Sequence, residues 1–211
     1  MRNGRRASVL LPVLLGVLLG AAATASLAEA SPEWHFNGTL LPYMTQETVT
    51  AEATAASLTV PGLTTTCEPF VLELKVENLL GGPGVGNVTG VHLNKCHTNS
   101  EFCTVETASA SGLPWPVHLT TIGSEHYFVI EGIKISFLYG GELCALGETL
   151  VTIKGSAGGL VDDSTHKVIF NSTTMATVGA QLKALSQNIE LNGTFSWFPT
   201  GSKAGTTLTV L

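Results

Sequence analysis

The chain has 211 residues, of which 44% are hydrophobic and only 12% are charged, and its formal net charge is −6. That length suits one domain once a targeting segment is set aside, and the hydrophobic share is large enough to build a core. The acidic balance excludes a nucleic-acid-binding protein, because such proteins need a concentrated Lys/Arg surface to displace counterions from phosphates.

The first thirty residues predict a secretory signal peptide. Three arginines precede an apolar run over 9–19, and small residues follow with A-x-A-like cleavage sites that end at Ala25, Ala28 or Ala30. An uncleaved anchor is the alternative, since the apolar stretch is nearly long enough to span a bilayer. No second apolar run of that length follows, so we expect a secreted or cell-envelope protein without an integral membrane segment in its mature chain.

Removal of residues 1–30 leaves a strongly acidic chain. Seven lysines, no arginine and fifteen acidic residues remain, which is a formal charge of −8. The sequence shows no basic patch that could hold the protein on an anionic membrane. We therefore expect neither nucleic acid nor an anionic membrane among its partners. The partner itself is not predicted, and a small ligand or a glycan is one candidate.

Residues 31–63 are predicted to form an extended or strand-like lead-in to an all-β domain over 64–211. The clearest strand is FVLELKVENL at 70–79, where apolar and polar residues alternate with a period of two. The glycine-rich segment 81–86 predicts a turn. It does not match G-x-G-x-x-G and a strand rather than a helix follows it, so we expect no phosphate site there.

Further strand-like segments continue to the end of the chain. They lie at 87–96, 102–109, 117–123, 126–141 with a kink at Gly132, 148–159, 166–174, 189–198 and 206–211. Turn residues separate them at intervals of roughly eight to twelve residues, which predicts a single antiparallel, meander-rich barrel or sandwich. One short helix is expected within 177–190, where apolar residues recur near a 3.6-residue period.

The mature chain has four cysteines, Cys67, Cys96, Cys103 and Cys144. An even number in an exported chain predicts two disulfides. The preferred pairing joins Cys96 to Cys103 across the mouth of a hairpin, and Cys67 to Cys144. The alternative pairs Cys67 with Cys96 and Cys103 with Cys144. Two histidines lie near Cys96, but the C-x2-C spacing of a zinc site is absent, so no metal or cofactor is predicted.

No pattern in the sequence predicts catalysis. The G-x-S-x-G elbow of many hydrolases is absent, and GSAG at 155–158 is interpreted as a turn. A glycosidase needs two carboxylates across a cleft, whereas the only aspartates, Asp162 and Asp163, are adjacent and are expected to serve a hairpin turn. We therefore expect a protein that is not an enzyme.

The segment LPWPV at 113–117 places Trp115 between two prolines. An extended backbone is expected here because proline restricts the residue before it. Trp115 is interpreted first as a plug on one end of the β core. The alternative is an aromatic side chain that contacts a ligand.

Together these features resemble a loose group of uncharacterised secreted all-β proteins of high-GC Gram-positive bacteria. The resemblance covers roughly residues 64 to 172 and is carried by Cys67, GVHLNKC at 90–96, Cys103 and Leu-Pro-Trp at 113–115. It implies an exported β domain and no catalytic residue. The chain departs from the group after Cys144, where a further cysteine-bearing strand would be expected.

Three functions follow as hypotheses. The first is a secreted or cell-envelope non-enzymatic β domain with a binding or structural role. The second is a carrier that holds a small apolar ligand inside a lipocalin-like barrel. The third is a secreted glycan hydrolase, which requires two carboxylates that face each other across a groove.

Overall fold

The structure is a computed structural model, and it describes residues 31–60, 62–142, 144 and 146–211. The predicted signal peptide lies outside the described residues. Those residues form sixteen β-strands, the helix α1 (Ser172–Thr177) and a 3-10 helix (Gly201–Lys203). In chain order the strands are β1 (Trp34–Phe36), β2 (Thr39–Leu40), β3 (Glu47–Ala53), β4 (Ala56–Val60), β5 (Leu63–Cys67), β6 (Phe70–Asn78), β7 (Gly84–Leu93), β8 (His97–Thr98), β9 (Thr104–Ala110), β10 (Trp115–Ile122), β11 (Glu125–Gly140), β12 (Thr149–Asp162), β13 (Lys167–Phe170), β14 (Leu182–Ala184), β15 (Gln187–Pro199) and β16 (Leu208–Val210).

Eight strands close into a ring of antiparallel hydrogen bonds, which confirms the predicted all-β antiparallel fold. The order around the ring is β3, β6, β7, β10, β11, β12, β13 and β15, and β15 returns to β3. The pairing of β13 with β15 closes the ring, with Phe170 opposite Gly193 and Lys167 opposite Ser196. This closure brings the fold closer to a barrel than to a sandwich.

Shorter strands extend the ring at its edges. Strand β4 pairs with β15, as the ring strand β3 does, and β9 pairs with β11, as the ring strand β10 does. Strand β14 pairs with both β12 and β15. Strand β5 pairs with β4, and β8 pairs with β5. Residues 47–60, which lie in the expected lead-in, are therefore part of the same sheet as the strands that follow.

The core lies inside the ring. The alternation predicted for 70–79 is confirmed, because Leu72, Leu74 and Val76 are buried in β6. A small sheet of β16, β1 and β2 brings Trp34 into this core. The Trp34 ring packs edge-on against Trp197 with 5.8 Å between centroids, an arrangement that aromatic pairs prefer.

A short helix is present, but the prediction that it lies within 177–190 is wrong. Asn171 begins α1 at residue 172, because its side chain accepts a hydrogen bond from the Thr174 N–H in a capping box. Gly179, with φ at +68°, follows the end of the helix. Leu182 and Ile189, whose spacing suggested a helix, instead face each other across the β14–β15 hairpin.

Two glycine-rich segments predicted as turns lie partly or wholly in strands. Residues 155–159 belong to β12, and Gly84 opens β7. The reason is close packing of neighbours. A Cβ on Gly158 would lie 2.1 Å from Val178, and one on Gly84 would lie 2.7 Å from the Trp34 ring. These glycines make room for side chains instead of reversing the chain.

The preferred disulfide pairing is wrong, and the alternative is present. Cys67 bonds to Cys96 and Cys103 bonds to Cys144, with Cα–Cα distances of 4.0 and 4.6 Å. The expected hairpin between β7 and β9 does not form, since β9 pairs with β11. The segment after Cys96 instead forms β8 against β5, which brings Cys96 beside Cys67.

Two disulfides indicate an oxidising environment, because such bonds form and persist outside reducing compartments. Among the helices of the described residues, none combines the length and the apolar character needed to cross a bilayer.

Candidate functional site

Trp115, the predicted plug or ligand-contact aromatic, lies in the core. Its side chain is 1% exposed, and its indole N–H donates to the Ser111 carbonyl at 3.0 Å. The ring lines an apolar cavity of about 20 Å³ inside the barrel. A ligand outside the sheet could not stack on this ring, so the structure places Trp115 with the plug interpretation.

Asp162 and Asp163 lie in the β12–β13 hairpin turn, as expected from the sequence. Asp162 accepts hydrogen bonds from the backbone and hydroxyl groups of Ser164 and Thr165, and these bonds lower the pKa of its carboxyl. Asp163 accepts from the Val210 N–H at 2.7 Å, while burial raises the pKa of its carboxyl. Both carboxylates therefore accept hydrogen bonds from backbone N–H groups.

Ser124, His126 and Asp163 line one open hollow of about 280 Å³. They are the residue types of a catalytic triad, but their hydrogen bonds lead elsewhere. His126 Nδ1 lies 3.0 Å from the Thr121 hydroxyl, and Asp163 holds the Val210 N–H. A triad needs one bond from serine to histidine and another from histidine to aspartate, so this arrangement is not one.

The four cysteines, once candidates for a metal or thiol site, are all engaged in disulfides. His97 is exposed in β8, and its Nδ1 lies 3.3 Å from the Lys95 carbonyl. His92 lies 3.0 Å from the Glu73 carboxylate on the outer face. In the part of the chain that the structure describes, no group of three His, Cys, Asp or Glu side chains could hold a metal ion.

The most distinctive charged feature of the described surface is a row of three lysines. Lys134 on β11 lies directly opposite Lys154 on β12, and Lys154 lies directly opposite Lys183 on β14. All three side chains are exposed, while Ile133, Ile135 and other flanking residues point into the core. Directly opposed residues have Cβ atoms about 5 Å apart, so the row spans about 10 Å. We call these residues the lysine row.

No carboxylate of the described residues lies within ion-pair distance of the lysine row. The ion pairs found there join His92 to Glu73 and His118 to Glu131, and neither includes a lysine. Like charges directly opposite each other destabilise a sheet. Three of the seven lysines that follow residue 30 thus form a local positive stripe on an acidic protein.

A β-bulge shapes the surface beside the lysine row. The register of β11 against β12 shifts between Ile130 and Ile133, so Glu131 and Gly132 bulge opposite Ser156. An open hollow of about 550 Å³ at this point is lined by both Lys134 and Lys154. Bulges are common beside functional sites because they redirect side chains.

A second hollow of about 310 Å³ adjoins the first and shares Glu131 and Ser156 with it. His118 and Thr120 of β10 form its floor, and residues 177–180 form one wall. Hydrogen bonds hold that wall in place. The Ala180 N–H donates to the Met175 carbonyl of α1 at 2.9 Å, and the Thr174 hydroxyl of α1 donates to the Gly158 carbonyl of β12 at 2.9 Å. The two hollows form one groove, which we call the bulge groove.

Sequence reasoning missed the lysine row. Its members are twenty and twenty-nine residues apart in the chain, so no local run of basic residues indicates it. Only the kink at Gly132 was expected, and the structure confirms it as the bulge, with φ at +67°. The absence of a basic patch that could hold the protein on an anionic membrane stays a prediction.

Comparison of the chain with protein-family models, with curated proteins and with solved structures finds no match.

Proposed function

We propose that this protein is a secreted or cell-envelope β domain that acts by binding or scaffolding through its outer surface, not by catalysis. The observation that carries the proposal is the contrast between its inside and its outside. The inside is filled by aromatic and aliphatic side chains, whereas one outer face carries the lysine row and the bulge groove. The proposal includes that the chain is related to the secreted all-β proteins that it resembles.

Export is supported by the two disulfides and by the signal-like composition of residues 1–30. Both bonds join segments that are distant in the chain, with separations of 29 and 41 residues. Each bond therefore restricts the unfolded chain considerably and suits a domain that must persist outside the cell.

The carrier alternative receives little support from the barrel interior. A drug-sized ligand needs a cavity of about 300 Å³ or more. The apolar cavity lined by Trp115, Phe170 and Phe195 holds about 20 Å³. That volume is close to the space one water molecule needs.

The hydrolase alternative receives little support from the carboxylates. Asp162 accepts from the Ser164 N–H in a turn, and Asp163 accepts from the Val210 N–H of β16. Glu131 lies in the bulge groove with His118 at 3.9 Å, and the other described residues that line the groove include no second carboxylate.

Export is tested by expressing the full chain with a C-terminal tag in an exporting bacterial host. We expect the product in the external fraction, with an N-terminus at residue 26, 29 or 31 and both disulfides formed. A matched variant that lacks residues 1–30 should stay in the cytosol with free thiols. Full-length protein in the membrane fraction, or free thiols in the wild type, would contradict the proposal.

Catalysis is tested by screening the purified exported protein for hydrolysis and group transfer. An activity that a single substitution such as Glu131→Gln or His126→Ala abolishes would overturn the non-enzymatic part of the proposal.

A further inference from the structure

We infer that the lysine row and the bulge groove together bind an anionic glycan, meaning a chain of sugars that carries sulfate, phosphate or carboxylate groups. This inference rests on the proposed function as an outer-surface binding domain and names the class of ligand.

The charge of the ligand follows from the lysine row. Three lysines whose Cβ atoms span about 10 Å, with no carboxylate within ion-pair distance among the described residues, present a local positive field on an acidic protein. A lysine ammonium is a point charge with three donors and no fixed fork, so it accepts anions from many directions. A chain with anionic groups every 5 to 10 Å could contact two or three of these lysines at once.

Hydroxyl groups flank the lysine row on both sides. Two residues along the strands on one side, the Ser136 and Thr152 hydroxyls lie 3.0 Å apart. On the other side Ser156 lies in the bulge groove, where its hydroxyl accepts a hydrogen bond from the Gln181 N–H at 3.2 Å and keeps its own proton to donate. These groups can exchange hydrogen bonds with sugar hydroxyls next to the charged substituents.

Glu131 favours a glycan over a bare polyanion such as polyphosphate. It is exposed in the bulge groove beside Lys134 and Lys154. A carboxylate accepts hydrogen bonds from sugar hydroxyls, but it repels a ligand that carries charge at every position. The groove therefore suits a ligand in which neutral hydroxyl-bearing parts alternate with charges.

The inference is tested by fluorescence anisotropy on the purified, disulfide-bonded protein. The probe is a labelled heparin-derived octasaccharide, with a neutral malto-octaose and linear polyphosphate as comparisons. We expect the octasaccharide to bind more tightly than either, and its binding to weaken as NaCl rises from 50 to 300 mM because salt screens the charges.

Two triple variants of equal charge separate a specific site from general attraction. The variant K134Q/K154Q/K183Q should weaken octasaccharide binding at least tenfold. The matched variant K75Q/K95Q/K203Q, which removes three lysines elsewhere, should change it less than twofold. Circular dichroism should show both variants folded. The first loses opposed like charges, which does not weaken the sheet, and the second changes lysines that are exposed or only partly buried.

Three outcomes would overturn the inference: no octasaccharide binding, equal loss in both triple variants, or tighter binding of polyphosphate than of the octasaccharide through the lysine row. Because the assay uses purified protein, its failure is distinct from a failure of export.

Discussion

Asn78 holds the backbone of Trp34 from both sides. The Asn78 side-chain oxygen accepts from the Trp34 N–H at 2.8 Å, and the Asn78 amide donates to the Trp34 carbonyl at 3.0 Å. The same amide donates to the Leu41 carbonyl at 2.9 Å. Asn78 is 0% exposed. Its side chain makes the hydrogen bonds to Trp34 that a neighbouring strand would make, and Trp34 is the residue that brings β1 against the barrel.

Replacement of Asn78 by alanine should lower the free energy of unfolding by about 2–4 kcal/mol, because the buried Trp34 N–H and Leu41 carbonyl lose this partner, while the Trp34 carbonyl keeps the Leu41 N–H at 2.9 Å. Urea unfolding followed by tryptophan fluorescence measures this loss. Asn94→Ala is the matched control, since Asn94 donates at the surface to the Pro69 carbonyl at 3.4 Å. It should cost less than about 0.5 kcal/mol. Equal losses in the two variants would mean that Asn78 has no special role.

The disulfide pairing predicts which double substitutions are equivalent. The variants C67S/C96S and C103S/C144S each remove one bond and should each lower the free energy of unfolding by about 3.5–4 kcal/mol, from the lengths of the closed loops. The variant C96S/C103S removes both bonds and should lose more than either.

The rejected pairing predicts a different order. If Cys96 were bonded to Cys103, the C96S/C103S variant would lose only one short loop, at about 2.5 kcal/mol, and would be the most stable of the three. Mass spectrometry after non-reducing digestion gives an independent answer. A peptide that links Cys96 to Cys103 would contradict the structure.

Asp162 and Asp163 are adjacent, but their pKa shifts have opposite directions. Hydrogen bonds from Ser164 and Thr165 lower the pKa of Asp162 below 3.8, so its stabilising contribution is present above that pH and is lost as pH falls through the folded-state pKa. Burial raises the pKa of Asp163 above 3.8. Stability therefore falls as pH rises from 3.8 through the folded-state pKa of Asp163.

The two aspartate-to-asparagine variants should consequently differ in sign at pH 7. Asp162→Asn should lower the melting temperature there, whereas Asp163→Asn should leave it unchanged or raise it, because the amide oxygen can still accept from Val210. The difference in melting temperature between each variant and the wild type should shrink near pH 3. Nearby charges also act on Asp163, since His126 and His166 lower its pKa and Asp162 raises it. Melting temperatures measured between pH 3 and pH 7 test this account. An equal decrease in both variants relative to the wild type would contradict it.

Thr65 and Tyr139 share a buried hydrogen bond between β5 and β11. Their hydroxyl oxygens lie 2.6 Å apart, and each residue is 1% exposed. Tyr139→Phe and Thr65→Val should each lower the free energy of unfolding by about 1–2 kcal/mol, because each leaves the other hydroxyl buried without its partner. The double variant should lose less than the sum, and a double-mutant cycle measures that coupling. Strict additivity would show that the bond contributes nothing.

Local patterns predicted the elements well where one face is buried and the other is exposed. The strand at 70–79 was readable because Leu72, Leu74 and Val76 alternate with charged residues, and β6 buries those three. Local patterns failed where a spacing had two explanations. Leu182 and Ile189 are seven residues apart, which fits two helical turns as well as the two arms of a hairpin.

Composition and local pattern by themselves determined the all-β class, the even set of disulfide cysteines and the use of Asp162 in a turn. Each of these depends on neighbours in the chain or on counts. The tertiary structure alone decided which cysteines pair, that Trp115 faces the core and that Lys134, Lys154 and Lys183 lie side by side. Those features depend on the register of strands that are distant in sequence, and register is set by how the whole ring closes around its core.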